Sequence, residues 1–228
     1  MQVARLWRYP VKSMAGEPLQ EAALGDFGVA GDRLLQVRDA AGRLVTSRSR
    51  PGLLLHRATL GEDGRPLVDG RPWNSPDVAR DVEAAAGPGA KLVAAEGPER
   101  FDILPLLVAT DGALAAFGRD PRRLRPNLVL GGVEGLAERG WEGRRIRIGE
   151  IVIALEELRE RCVMTTFDPD TAAQDVEVLL SIRRDFGGRL CLNASVERGG
   201  RVRVGDAVSL DSPSAGPSPG GRRGSSRP

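Results

Sequence analysis

The stretch Arg161-Cys162-Val163-Met164-Thr165-Thr166-Phe167-Asp168-Pro169-Asp170-Thr171 holds most of what this chain says about itself. Positions 162–167 read as a strand, and Asp168-Pro169-Asp170-Thr171 reads as a turn that caps the following helix. A thiolate is a soft ligand of the kind thiophilic metals select. Its pKa falls beside cations, and Arg159 and Arg161 are close in sequence, with Glu160 partly opposing them. Cys191, the second of two cysteines, lies in an apolar run and reads as inert core.

The composition narrows the classes around this stretch. The chain has 228 residues, 33 Lys+Arg against 31 Asp+Glu, and a formal net charge of +2. That is enough chain to bury a real core. The near-balance of charge argues against a general nucleic-acid binder. No run approaches the roughly 18 apolar residues of a membrane span, and the N-terminus has no apolar signal region, so the expected compartment is the cytoplasm. Two cysteines are too few for a disulfide scaffold, an iron–sulfur cluster or a four-cysteine zinc site. His56 is the only histidine, which leaves a Ser-His-Asp triad almost nothing to draw on, and inside an apolar strand it reads as structural. Only Lys12 and Lys91 are lysines; the other basic residues are arginines.

Working outward, the chain is expected to be strand-rich α+β, barrel-like, in two blocks. Positions 3–9 read as a strand stopped by Pro10. Positions 33–38 and 43–48 flank a short loop ending in Gly42 and read as a hairpin; 53–60 and 66–69 flank Gly61–Gly64 in the same way. Ser75 and Pro76 open a helix that Gly87 stops. In the second block, Thr110 caps a short helix ended by Gly118. Strands are expected over 127–130, 144–148, 151–155, 190–196 and 201–210, and a helix over 176–186. The blocks divide as 1–84 and 85–210. From Asp211 onward 13 of 18 residues are Ser, Pro or Gly, so 211–228 reads as a disordered tail.

Three more segments stand out beside the cysteine stretch: Tyr9-Pro10-Val11-Lys12-Ser13; Gly31-Asp32-Arg33 with Thr46-Ser47-Arg48; and Arg125-Pro126-Asn127. Arginine offers a planar fork of donors for a phosphate, and lysine adds a point charge. Arg33 and Arg48 also fit the blander reading of a solvated hairpin face.

Together these segments resemble the MOSC family, the domain related to the C-terminal part of molybdenum cofactor sulfurases. Tyr-Pro-Val-Lys-Ser and Gly-Asp-Arg resemble its N-terminal β-barrel domain. Arg-Pro-Asn, Trp141, the cysteine stretch and the closing Val204-Gly205-Asp206-Ala207-Val208 resemble the MOSC domain proper, so the resemblance spans 1–210. The resemblance implies a molybdenum cofactor (Mo-molybdopterin) with Cys162 as its metal ligand and catalytic cysteine. Lys12, Ser13, Arg33 and Arg125 match positions that hold its phosphate and ring. Thr110, Asp111, Arg161 and Asn193 match further cofactor-contacting positions. The chain departs from the family at Glu157-Leu158-Arg159-Glu160, where a proline–cysteine pair is often found. Glu160 there replaces a small residue at a contact position.

By pattern the similar functional groups are the amidoxime-reducing component and bacterial reductases of N-hydroxylated compounds. The implied activity is reduction of N-hydroxylated or N-oxide small molecules at molybdenum. Two cysteines cannot ligate a [2Fe–2S] cluster and no dinucleotide-binding glycine fingerprint is present, so electrons would come from an external ferredoxin- or flavin-type reductase. Two other readings stay open: a sulfur carrier with a persulfide on Cys162, and a non-enzymatic barrel that binds a ligand. No nucleic-acid or membrane partner is expected.

Overall fold

The computed structural model describes residues 1–211; the expected tail at 211–228 falls almost wholly outside the described residues. Strands dominate, with three α-helices: α1 (Pro76–Ala86), α2 (Asp111–Phe117) and α3 (Glu177–Phe186). The α+β expectation holds. One eight-stranded sheet runs in the spatial order Ser209–Leu210, Arg145–Ile148, Ile151–Glu160, Arg189–Arg198, Leu106–Thr110, Leu128–Gly131, Gln2–Arg8 and Glu17–Leu19. All its pairings are antiparallel except Leu106–Thr110 with Leu128–Gly131, which α2 connects. The sheet curls towards itself. Val3 N–H donates to the Asp206 carbonyl at 2.9 Å, and Val208 N–H to the Met1 carbonyl at 3.0 Å. The contact is an isolated bridge, so the sheet is barrel-like and not a closed barrel.

Its concave side is filled by residues from both ends of the chain, among them Val3, Leu6, Leu106, Leu130, Ile153 and Leu192. The first strand thus belongs to the large sheet, where Gln2–Arg8 pairs with Leu128–Gly131, while Glu21–Gly25 joins Gly28–Val29 and Gly200–Arg203 in a separate three-stranded sheet. A second core gathers Val11, Met14, Val37, Leu53, Val78 and Val82 under α1 and the three-stranded sheet of Leu35–Arg38, Leu44–Val45 and Lys91–Ala94. A third lies between α2, α3 and the outer face of the large sheet.

The helix caps follow the sequence. Ser75 accepts from Val78 N–H and Thr110 from Ala113 N–H, while Gly118 and Gly187 take the left-handed conformation that ends a helix. Two expected strands differ. Pro51–Leu55 is a 3₁₀ turn, and only Ala58–Leu60 of that run is a strand. Pro51 supplies the fixed φ of a first helical position and no donor to a ladder. The cysteine run also departs from a strand: Val163–Thr166 is a 3₁₀ turn, because the Thr165 and Thr166 hydroxyls donate back to the Cys162 and Val163 carbonyls at 2.9 and 2.7 Å.

One close approach fixes how α2 meets its neighbour. A Cβ on Gly112 would lie 2.4 Å from the Val133 carbonyl oxygen and 2.3 Å from that of Gly135, both backbone atoms that cannot step aside. Gly112→Ala is therefore expected to lower stability by about 1–3 kcal/mol in denaturant unfolding, the cost of overpacking, whatever alanine adds to helix propensity.

Candidate functional site

The site is assembled around a buried carboxylate. Asp32 is 1% exposed and accepts from Tyr9 N–H at 2.6 Å and from Asn127 Nδ2 at 3.2 Å; it also pairs with the guanidinium of its neighbour Arg33. Asn127 in turn accepts from Leu107 N–H through Oδ1, and the Tyr9 hydroxyl donates to the Pro126 carbonyl at 3.1 Å. Burial pushes the Tyr9 phenol well above its ordinary range, so it stays neutral. Three segments far apart in sequence are locked together by these bonds. Each then projects a functional side chain from a strained backbone. Ser13, Arg33 and Arg125 all have positive φ (75°, 51° and 57°), the left-handed region that costs a non-glycine residue of order 1–3 kcal/mol.

The side chains so projected meet in one cleft. It is lined by Lys12, Ser13, Arg33, Arg125, Arg161, Cys162 and Asn193, with Arg48, Asp102, Arg159 and Glu160 beside them. Seven of the nine positions singled out in the sequence are thus brought together. Asp102 sits among the cations. Its carboxylate takes Lys12 Nζ at 2.8 Å, Arg48 at 2.7 Å and Arg159 at 3.4 Å. Burial alone would raise the Asp102 carboxyl, but the Lys12 hydrogen bond and the charges of Lys12, Arg48 and Arg159 hold it below the ordinary carboxylate range. The guanidinium of Arg125 lies 4.2 Å from the centre of the Tyr9 ring, and burial pushes its pKa down to about 10. Burial likewise lowers Arg161 and Arg159.

Cys162 stands at the end of the Ile151–Glu160 strand, where the chain turns away, and its side chain is half-buried. Arg48 reaches it. Burial would lower the Arg48 guanidinium, yet a hydrogen bond to the Cys162 sulfur and the charge of Asp102 raise it. The turn after Cys162 is clamped from outside. Arg123 donates to the Thr166 carbonyl at 2.9 Å and to Asp168 at 3.0 Å, Arg122 bridges Asp120 and Asp170, and the Ser47 hydroxyl donates to the Met164 sulfur at 2.8 Å. Asp168 accepts from the N–H groups of Asp170 and Thr171, so Asp-Pro-Asp-Thr is a closed turn. The cap of α3 comes instead from Asp175, which accepts from Glu177 N–H.

Thr110 and Asp111 lie elsewhere, with work of their own. Thr110 is the N-cap of α2 and donates to the buried Glu138 at 3.2 Å. Asp111 accepts from the N–H groups of Gly132, Val133 and Gly112, which hold its carboxyl low although burial alone would raise it. Cys191 is fully buried between α2 and α3, and burial pushes its thiol up to about 11, as suits an inert residue. His56 is held by Asp69 at 2.8 Å. The sequence reading gave no role to Arg123 and Asp102. Asp102 lies in a loop with no recognisable pattern, whereas Arg48 and Arg159 stood in segments already noted.

The donor set fits a phosphorylated pterin that carries a metal. Two buried donors in the cleft, Arg161 Nε and Asn193 Nδ2, have no partner among the described residues and would be satisfied by ligand oxygens or ring nitrogens. Among the described residues no group of three or more His, Cys, Asp or Glu is placed to hold a metal ion.

Two outcomes follow from this geometry. Asp32→Ala leaves Arg33, Asn127 and the Tyr9 amide without their acceptor, and unfolding by denaturant should show a loss of about 3–5 kcal/mol, the cost of breaking a buried charged pair. Asp102→Asn removes the carboxylate that neutralises Lys12, Arg48 and Arg159, so calorimetry should show inorganic phosphate binding severalfold more tightly. The same variant fixes a pH effect. A depressed carboxyl contributes stability that is in place above its unfolded value, about pH 4, and is lost as pH falls through its folded value; Asp102→Asn should flatten the wild-type decline there.

Comparison with known proteins agrees over both halves of the chain. The family model described as the MOSC N-terminal beta barrel domain matches residues 1–91, and that described as the MOSC domain matches residues 111–209. The mitochondrial amidoxime reducing component 2 of Macaca fascicularis is 26% identical, over 90% of this chain and 82% of its own. The mitochondrial amidoxime-reducing component 1 of Mus musculus is 28% identical, over 91% and 82%. A solved structure, the YUAD protein from Bacillus subtilis, is similar at 16% identity with a TM-score of 0.47, over 92% of this chain and 94% of the other. With its two domain matches end to end, the chain belongs to the MOSC family.

Proposed function

We propose that this protein is a molybdenum-cofactor oxidoreductase that reduces N-hydroxylated or N-oxide compounds with electrons from an external ferredoxin- or flavin-type reductase. One observation carries the reading. Lys12, Arg33, Arg125 and Arg161 come from distant segments and line the same cleft as the Cys162 sulfur. The names of the relatives, amidoxime-reducing components, support the same chemistry.

Each residue then has a physical task. Lys12 and Arg48 attract and neutralise a phosphate, and admitting it requires the Asp102 carboxylate to give way, since both now bind that carboxylate. Ser13 offers a hydroxyl beside them, and Arg33 and Arg125, held against the Tyr9 ring, give the cleft a rigid cationic wall. Asn193 Nδ2 and Arg161 Nε donate from the floor. Cys162 offers its sulfur to the metal, with the Arg48 guanidinium beside it. When bound, the cofactor supplies two-electron chemistry at the metal. The overall reaction takes an N–OH group, two electrons and two protons to N–H and water. Glu160, exposed at the rim, adds a negative charge beside the path of the substrate. No helix of the described residues is long and apolar enough to cross a membrane; we place the protein in the cytoplasm.

Protein made in a host that synthesises the cofactor should contain molybdenum and pterin. Cys162→Ser should keep the fold, judged by circular dichroism, and lose molybdenum-dependent activity. Cys191→Ser should keep both metal and activity, at a stability cost of about 1–3 kcal/mol for a buried hydroxyl. Equal loss of activity in the two variants with molybdenum retained would refute the ligand assignment.

The electron route is tested separately. Loaded protein should reduce an amidoxime with reduced viologen, fail with NADH or NADPH alone, and recover when a reductase is added, because the sequence carries no dinucleotide-binding glycine fingerprint to bring a hydride to an acceptor. Full molybdenum loading without viologen turnover would favour the sulfur-carrier reading of Cys162.

A further inference from the structure

A second cavity, of about 460 Å³, lies beside the Cys162 cleft. Arg123, Arg125 and Met164 line both, so the two share a wall. Its other walls are mostly apolar, with Arg57, Arg122 and Asp170 as their charged residues. Trp7 and Tyr9 stack with ring centres 6.4 Å apart at 15°, and Leu54, Leu55 and Phe167 complete the lining. Leu55 stands 51% exposed at the rim.

The charge in this cavity is one-sided. Arg122 is neutralised by Asp120 and Asp170, and Arg123 by Asp168. Two guanidiniums remain. Arg57 is bonded only through its backbone, to Asp69, and its exposed side chain has no ion pair or hydrogen bond among the described residues. Among the described residues the Arg125 guanidinium has no hydrogen bond or ion pair and rests against the Tyr9 ring. A cation beside an aromatic wall in a partly dry cavity gains most from an anion that brings its own flat apolar body: the charge-assisted bond and the stacking are then satisfied by one molecule. Drug-sized ligands occupy pockets of about 300–1,000 Å³, so this one suits a compound of one or two rings.

We propose that this cavity binds a planar aromatic compound carrying one carboxylate, its rings against Trp7 and Tyr9 and its charge towards Arg57, with Arg125 adding positive charge from the shared wall. It thereby selects aromatic, anionic N-hydroxylated compounds for the cleft next door, a consequence that rests on the oxidoreductase reading; the binding itself does not.

The probe is 2-naphthoate, titrated by calorimetry into cofactor-loaded and cofactor-free protein. Saturable binding at one site is expected in both. Arg57→Gln and Leu55→Asp, which alter only exposed rim positions, should each weaken it by about tenfold, the scale of one charge-assisted hydrogen bond. The neutral 2-naphthylmethanol should bind more weakly and be indifferent to Arg57→Gln. In turnover, Arg57→Gln should raise KM for a carboxylated aromatic amidoxime and leave kcat and the KM of an uncharged one unchanged. Absence of saturable naphthoate binding would overturn the inference, as would equal affinity in all three proteins. So would loss of binding on cofactor loading, which would give the cavity to the cofactor. Molybdenum content and viologen turnover judge the oxidoreductase reading on their own, so each can fail without the other.

Discussion

The Asp32 carboxylate, sealed from solvent, is the constraint on which the rest of the cleft depends. A buried charge is tolerated only when paired and fully hydrogen-bonded, and Asp32 meets that demand by drawing on three segments at once: the Tyr9 amide, the Asn127 amide and the Arg33 guanidinium. The segments that bear Lys12, Arg33 and Arg125 are therefore placed relative to one another by a single acceptor. Removing it would loosen more than one side chain, because the Tyr9 N–H would lose its acceptor, Arg33 its counter-charge, and Asn127 would keep only the Trp7 carbonyl.

That rigidity explains how a cluster of like charges persists. Lys12, Arg33, Arg48, Arg125, Arg159 and Arg161 repel one another, and burial lowers the pKa of several. The fold offsets this with one carboxylate, Asp102, shared among three of them, and with the Tyr9 ring, which Arg33 and Arg125 both approach. The positive φ of Ser13, Arg33 and Arg125 shows where the remaining cost is held. Backbone strain of this kind persists only where surrounding bonds over-determine it, and the Asp32 network is such a set of bonds.

Local signals were read well because they act locally. Ser75, Thr110 and the stop glycines cap and end helices through contacts within a few residues, and the hairpin over Leu35–Arg38 and Leu44–Val45 follows from its own loop. What failed to show was long-range or conformationally ambiguous. An apolar, β-branched run at 162–167 suits a strand, but the Thr165 and Thr166 hydroxyls can bond back to the chain and Arg123 clamps the result, so the run turns. Asp102 carries no pattern at all; only the packing of its loop reveals that it meets Lys12, Arg48 and Arg159. The pairing of Gln2–Arg8 with Leu128–Gly131 likewise joins the start of the chain to its middle in a way no local periodicity encodes. Thr110 and Asp111 illustrate the reverse: the residues of a contact position are present, yet here their hydrogen bonds are spent on α2 and the Gly132–Val133 loop.

The two cysteines show why environment, not residue type, decides chemistry in this chain. Cys191 sits within the Arg189–Arg198 strand at a left-handed backbone position, enclosed by α2 and α3, and its thiol is pushed towards the neutral form. Cys162 leaves the neighbouring Ile151–Glu160 strand at the point where the pairing of the two strands slips out of register between Leu158 and Glu160. After that slip only Glu160 still pairs, with Arg189, before Arg161 and Cys162 turn to line the cleft and the chain enters the clamped turn beyond. A sulfur released there meets a guanidinium from Arg48, whereas a sulfur kept in the ladder meets hydrocarbon. The irregularity in the sheet is thus the step that separates a cysteine lining the cleft from one sealed in the core.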